Sequence, residues 1–246
     1  MRHFGTIRRA RMLVLAAATV VVLGASATSA LARDAHPRVL PPTANPHGQS
    51  YGAWAAEWWQ WALSQPASVN PVLDETGEHC AQAQEGHVWF LAGAFTSEPV
   101  TRTCTVPTGT ALFFPVVNYV YCAEATDPPE QQTEEFVREQ VAFLREAVSG
   151  LSATVDGVQV PDIELRYYEE SPFFSVVLPE DNVFGRPAGS VLEPCADAGF
   201  YLMLAPLPPG EHMIHIAGSI PEAGFSLDVT YELEVVPRGQ LLRASS

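Results

Sequence analysis

From Phe225 to Val235 the chain alternates. Phe225, Leu227, Val229, Tyr231, Leu233 and Val235 are apolar, and Ser226, Asp228, Thr230, Glu232 and Glu234 lie between them. Successive side chains of a strand point to opposite faces, so a period of two predicts a strand with one face on a core. Ser152 to Val160 reads as two alternating arms around Asp156-Gly157, a two-residue hairpin signal. After the tight turn Leu207-Pro-Pro-Gly210, His212, Ile214 and Ile216 share one face of another strand. Apolar runs at Val88 to Ala92, Ala111 to Tyr121, Phe173 to Leu178 and Phe200 to Leu204 predict more. Pro115 interrupts the second run and marks an edge or a bulge. The pattern gives roughly nine or ten strands. One-sided strands must bury their apolar faces against a second sheet. The predicted class is therefore mainly β, a single antiparallel β-sandwich of jelly-roll or Ig-like type.

Two segments carry a helical period instead. Tyr51, Trp54, Trp58 and Trp61 recur at intervals of three and four, which stacks them on one face of a helix near 51–64. Ser50 is placed to cap it and Pro66 to stop it. Trp59 falls off the stripe and is the ring expected at the surface. A second helix is predicted near 128–149. Asp127 is its N-cap, Pro128 its first residue and Glu130 the capping-box partner. Val137, Val141, Leu144 and Val148 form its stripe, and Gly150 ends it.

Ahead of these elements the pattern changes twice. Arg8, Arg9 and Arg11 precede an unbroken apolar or small-residue run from Met12 to Leu23, and Ala30-Leu31-Ala32 forms an A-x-A site. That is the layout of a secretory signal peptide over 1–32, with an uncleaved anchor helix as its rival. Residues 33–49, rich in proline, read as an extended lead-in. The domain is then 50–237, and 238–246 a tail. The mature chain would have no membrane span.

Composition narrows the function. The 246 residues include no lysine, and all 28 acidic side chains follow the leader. Nine of the 13 arginines remain with them. Such an acidic surface repels phosphate backbones, so nucleic acid is excluded as a partner, and a lysine Schiff base or P-loop lysine is impossible. Cys80, Cys104, Cys122 and Cys195 follow the leader, an even count that reads as two disulfides. Three pairings are possible; Cys80–Cys104 with Cys122–Cys195 is favoured because the first closes a local loop around one predicted strand.

The stretches AEWWQWAL, DETGEHCAQAQEGHVWFLAG, TRTCTVPTGTALFFPVVN, SPFFSVVLPEDNVFG, PLPPGEHMIHIAG and GFSLDVTYELEVV together resemble a largely uncharacterised family of secreted bacterial proteins. The family has a Trp-rich N-terminal segment and a PLPPGEHxIH-type turn. The resemblance spans about Tyr51 to Val236. It implies secretion and a single compact domain, and it assigns no catalytic residue, cofactor or ligand.

Candidate chemistry is sparse. Gly48-Gln49-Ser50-Tyr51-Gly52 matches G-x-S-x-G, but a nucleophile elbow needs a buried strand before the serine, and Thr43-Ala-Asn-Pro-His47 cannot form one. His212 and His215, three apart on a strand, point to opposite faces and cannot chelate one ion. Asp74, Glu75, Glu78 and Glu85, with His79 and His87, make a solvated acidic loop that lacks the order of a calcium loop. Glu180-Asp181-Asn182 reads as a turn. No metal or cofactor is expected. Trp58, Trp59 and Trp61 could present indole faces to sugar rings, with Glu57 beside them as the one carboxylate for acid–base work. Pairing Glu57 with Glu124 or Glu169 for glycoside hydrolysis has no spacing to recommend it. The expectation is a secreted or periplasmic, non-enzymatic protein with a binding or envelope-associated role, its partner a carbohydrate or another envelope protein. The alternative is a polysaccharide-binding or polysaccharide-hydrolysing module that uses the tryptophan helix.

Overall fold

The computed structural model describes residues 38–239. The predicted leader and most of the tail lie outside the described residues. The described chain is mainly β. Its strands are β1 (Val88–Phe90), β2 (Val100–Pro107), β3 (Ala111–Glu124), β4 (Ser149–Val155), β5 (Val158–Gln159), β6 (Tyr168–Glu170), β7 (Phe174–Val177), β8 (Val191–Leu204), β9 (Gly210–Ile220) and β10 (Phe225–Val236). One sheet has the order β1-β3-β8-β6, with β7 also paired to β8; the other runs β2-β10-β9-β4-β5.

Both sheets are mixed, which corrects the expected antiparallel arrangement. β1 runs parallel to β3, and β2 runs parallel to β10 along its whole length. The reason is topological. Alternation tells which face of a strand is buried, but direction is dictated only where a short turn joins two partners. That holds for β9 and β10, which pair antiparallel from Phe225↔Ile220 onward. β2 meets β10 with most of the domain between them, so no hairpin constrains it.

The alternation itself is realised. Leu227, Val229, Tyr231, Leu233 and Val235 are buried on β10, as are Ile214 and Ile216 on β9. All of these side chains except Val235 share one core cluster with Phe113, Phe114, Phe200 and Tyr201 of the other sheet. Gly218 of β9 marks a close approach. A Cβ there would lie 2.6 Å from the Val117 side chain and 2.9 Å from that of Leu151. Pro115 makes a bulge, since the β3/β8 register slips between Pro115 and Val117, and it lies past the last β3 residue paired to β1, where that side of the strand is an edge. The Asp156-Gly157 turn joins β4 to β5 with both residues at positive φ, as the hairpin reading requires.

Both disulfides take the favoured pairing. Cys80–Cys104 ties the acidic loop to β2, and Cys122–Cys195 joins two residues directly opposed in the β3/β8 ladder.

The helices are α1 (Tyr51–Leu63), α2 (Glu134–Ala142) and two single turns, α3 (Leu144–Ala147) and α4 (Ile163–Arg166). Ser50 caps α1, its hydroxyl accepting from Ala53 N–H at 3.1 Å. The second helix starts later than Asp127. A residue before proline is pushed out of the helical region, and Pro128 sits before Pro129 with ψ at 143°. Thr133 is the cap instead, accepting from Phe136 N–H, while Asp127 turns back to accept from Glu124 N–H. Val137, Val141 and Leu144 are fully buried, as their spacing demands. Val148 is already extended, and Gly150 belongs to β4. The lead-in is anchored as well: Val39 bridges Leu204, and the Tyr51 hydroxyl donates to Leu40 O.

Candidate functional site

Helix α1 lies against the first sheet and buries all four of its indoles. Each ring N–H donates to a different segment. Trp54 reaches Pro46 O at 3.0 Å, Trp58 reaches Leu91 O at 3.0 Å, and Trp61 reaches Gln82 O at 2.9 Å. Trp59, expected at the surface, is 4% exposed and donates to Asp197 Oδ1 at 2.6 Å. Its position off the stripe turns it onto β8 and not into water. The sugar platform is thereby corrected: these rings hold the lead-in, the acidic loop, the segment after β1 and β8 to one helix. Sequence periodicity identified the stripe, but it could not show that a sheet wraps the helix on a second side.

Asp197 is the centre of a buried polar network. It is wholly buried on β8. Trp59 and the Tyr201 hydroxyl, the latter at 2.8 Å, both donate to Oδ1, and Oδ2 has no partner. Burial pushes its carboxyl up to about 8, against the two hydrogen bonds and the nearby Arg138 charge, which pull it down. The group is therefore a neutral acid at neutral pH. Tyr201 in turn accepts from Asn118 Nδ2 at 2.9 Å. Gly199 makes this possible. It faces Asn118 directly across the ladder, and a Cβ there would sit 2.6 Å from the Tyr201 ring and 2.7 Å from Asn118 Cβ. Ser171 closes the far side, its hydroxyl accepting from Asp197 N–H and its own N–H donating to Asp197 O.

Asn118 and Trp59 also line a cavity of about 360 Å³. Its floor includes Trp58, Leu63 and Leu227, and four consecutive residues of β3, Val117 to Val120, form one wall. Alternate side chains of a strand point apart, so four in a row meet one cavity only along the strand's edge. That edge is open here: β1 pairs β3 only at Ala111–Phe113, and no described strand pairs with that side afterwards. Phe95 and Phe184, 49% and 48% exposed, stand at the lining with Tyr119. Phe143 packs edge-on against Tyr119 at 5.1 Å.

Two devices hold the loops of this cavity. Arg102 of β2 is almost wholly buried, and its guanidinium donates to Asp74 O, Val72 O, Ala92 O, Gly93 O and the Tyr231 hydroxyl. Val72 and Gly93, which line the cavity, are thereby fixed to the second sheet. Asn182 does the same for Phe184. Its Oδ1 accepts from Phe184 and Arg186 N–H, and its Nδ2 donates to Pro179 and Arg186 O. The turn reading of Glu180-Asp181-Asn182 therefore holds, with Asn182 as its buried core. Neither arginine nor asparagine stood out in sequence, because their partners are backbone atoms that only the fold assembles. Exposed phenylalanines flanked by glycine, as in GAF and VFG, are the one local signal of the cavity.

The other candidates fall elsewhere. Glu57 is half-buried over a separate open hollow with Gln60, Trp61, Glu85 and His87. Glu124 is ion-paired with Arg186 at 2.6 Å. Glu169 is half-buried on β6, and loss of solvent raises its carboxyl above the ordinary range. Asp74 organises its own loop. Burial raises its carboxyl, but hydrogen bonds from His79, Thr76 and Gly77 outweigh that and hold it below the ordinary range. His212 and His215 occupy opposite faces of β9 and pair with Asp156 and Asp228 respectively. Among the described residues, no three His, Cys, Asp or Glu side chains are grouped to hold a metal, and no helix is long and apolar enough to cross a membrane. Comparison of the chain with protein-family models, with curated proteins and with solved structures yields no match.

Proposed function

We propose that this chain is an exported, non-catalytic binding protein, a sandwich of two sheets that holds an apolar small molecule in the cavity at the open edge of β3. One observation carries the reading: a cavity of ligand-binding size, lined almost entirely by aliphatic and aromatic side chains, with one amide built into its wall. Supporting it, two groups of catalytic type are committed elsewhere. Ser50 caps α1, and Asp197 is sealed behind Trp59. Two disulfides fit the oxidising side of a membrane.

The test uses N-phenyl-1-naphthylamine, a neutral dye whose emission rises in apolar surroundings. Its emission should saturate at one dye per chain. Gly93→Leu should weaken that binding about ten-fold or more. A Cβ at Gly93 meets nothing closer than 3.8 Å, so the new side chain enters the cavity region without backbone strain. Absence of saturable binding to the wild-type chain, or equal binding by the folded variant, overturns the reading.

A further inference from the structure

We infer that the cavity selects uncharged ligands whose head donates a hydrogen bond, and that Asn118 is the residue that selects them. The inference rests on the apolar-cavity reading above and adds the chemistry of the head group.

The lining contains no arginine, histidine, aspartate or glutamate; its polar side chains are Asn118 and Tyr119. An ionised head brought among Trp58, Trp59, Phe95, Phe184, Phe225 and Leu227 would lose its water and gain no counter-charge. An uncharged head loses far less and needs only a hydrogen-bond partner. Asn118 supplies one, and its orientation is dictated from behind. The Tyr201 hydroxyl gives its proton to Asp197 Oδ1, so only its lone pairs face Asn118. Asn118 must therefore turn its amide nitrogen to Tyr201. Asp197 Oδ1 is already an acceptor for Trp59, which favours this direction for the chain of donors. The carbonyl oxygen of Asn118 and its second N–H are left for the cavity. An alcohol or a primary amide, which both donates and accepts, complements that pair; a carboxylate, which only accepts, does not.

This network also explains why a glycine sits opposite Asn118. Any larger residue at Gly199 would push Asn118 and Tyr201 apart and release the amide from its fixed direction.

The experiment compares 1-decanol, decanoate and decylammonium at neutral pH, by titration calorimetry and by quenching of tryptophan emission, with the full mature chain. For the wild-type protein, decanol should bind about ten-fold or more tighter than either charged ligand, the equivalent of one unit of log affinity. Asn118→Asp places a carboxylate in the wall and should make decylammonium the best of the three. Asn118→Leu should weaken decanol binding about five-fold or more and leave the charged ligands as poor as before. If decanoate or decylammonium matches decanol on the wild-type chain, the head-group inference fails and the apolar-cavity reading stands. If none of the three binds, both fail. If folded Asn118→Asp keeps the wild-type ranking, Asn118 is not the selector. Should Asn118→Asp not fold, Asn118→Leu and the wild-type ranking decide the matter.

Discussion

Two buried ionisable side chains anchor the two sheets, and they are treated in opposite ways. Arg102, in the second sheet, directs its guanidinium at four carbonyl oxygens and one hydroxyl. Asp197, in the first, receives two donors on one oxygen and none on the other. The difference follows from what each group can give up. A guanidinium keeps its proton at any pH a protein survives, so a buried one must be met by acceptors wherever it points. A carboxyl can take a proton and become neutral, so a half-satisfied one persists as an acid. The arginine therefore fixes loops. The aspartate fixes side chains, and it does so conditionally on pH.

The sharpest way to break the comparison is to remove the arginine. Arg102→Met keeps the apolar stem but leaves the carbonyls of Val72, Asp74, Ala92 and Gly93 buried without that donor. It should cost about 4 kcal/mol in urea unfolding, at the upper end for one substitution. Arg102→Lys retains charge but loses the planar fork, and should fall between the two. The cavity wall at Gly93–Phe95 should loosen in both, so dye affinity should fall with stability. A loss below about 1 kcal/mol for Arg102→Met would show that the loops hold themselves.

Asp197 gives the next largest effect, and one with a direction in pH. Its carboxyl titrates near 3.8 when unfolded and at about 8 when folded. Between those values the folded chain holds a proton that the unfolded chain has lost, so stability declines as pH rises from about 4 through 8 and flattens beyond. Asp197→Asn keeps an acceptor for Trp59 and Tyr201 and cannot ionise. Relative to this variant, the wild type should lose about 3–4 kcal/mol between pH 5 and pH 8. Melting temperatures of the pair across that range measure it. Parallel pH profiles would mean that Asp197 stays neutral, or stays charged, throughout.

Sequence reading reached the sheets' faces more readily than their neighbours. The run from Phe225 to Val235 announces which side of β10 is buried, because period two is a local property. It says nothing of β2, which pairs with β10 in parallel from the other end of the domain. Trp54, Trp58 and Trp61 announce a buried stripe for the same local reason. Trp59 was misplaced because its acceptor lies 138 residues away on β8. The cavity was illegible for a further reason: it is an absence of atoms where β1 ends, α1 turns and two loops meet. No single segment encodes it, and its one amide, Asn118, is an ordinary residue until Gly199 and Tyr201 are set beside it.

The smallest effect concerns Arg138, which borders the aspartate from α2 as Arg102 borders the loops. Its Nη2 donates to Ser171 O at 2.5 Å, its Nη1 to Asp197 O at 3.3 Å, and it pairs with Glu170 at 3.6 Å. It is partly exposed, so the ion pair is screened by water and contributes little. Arg138→Gln should therefore cost about 1–2 kcal/mol at and below neutral pH, mainly from the two hydrogen bonds. A second consequence separates its charge from its contacts. Arg138 pulls the Asp197 carboxyl down, against the burial that raises it. Without that charge the proton is held to higher pH, so the declining part of the stability profile should extend further toward alkaline pH. In the Asp197→Asn background the same substitution should only lower the profile, without stretching it. If Arg138→Gln stretches both profiles alike, the titrating group is not Asp197, and the conditional half of the comparison passes to another acid such as Glu169.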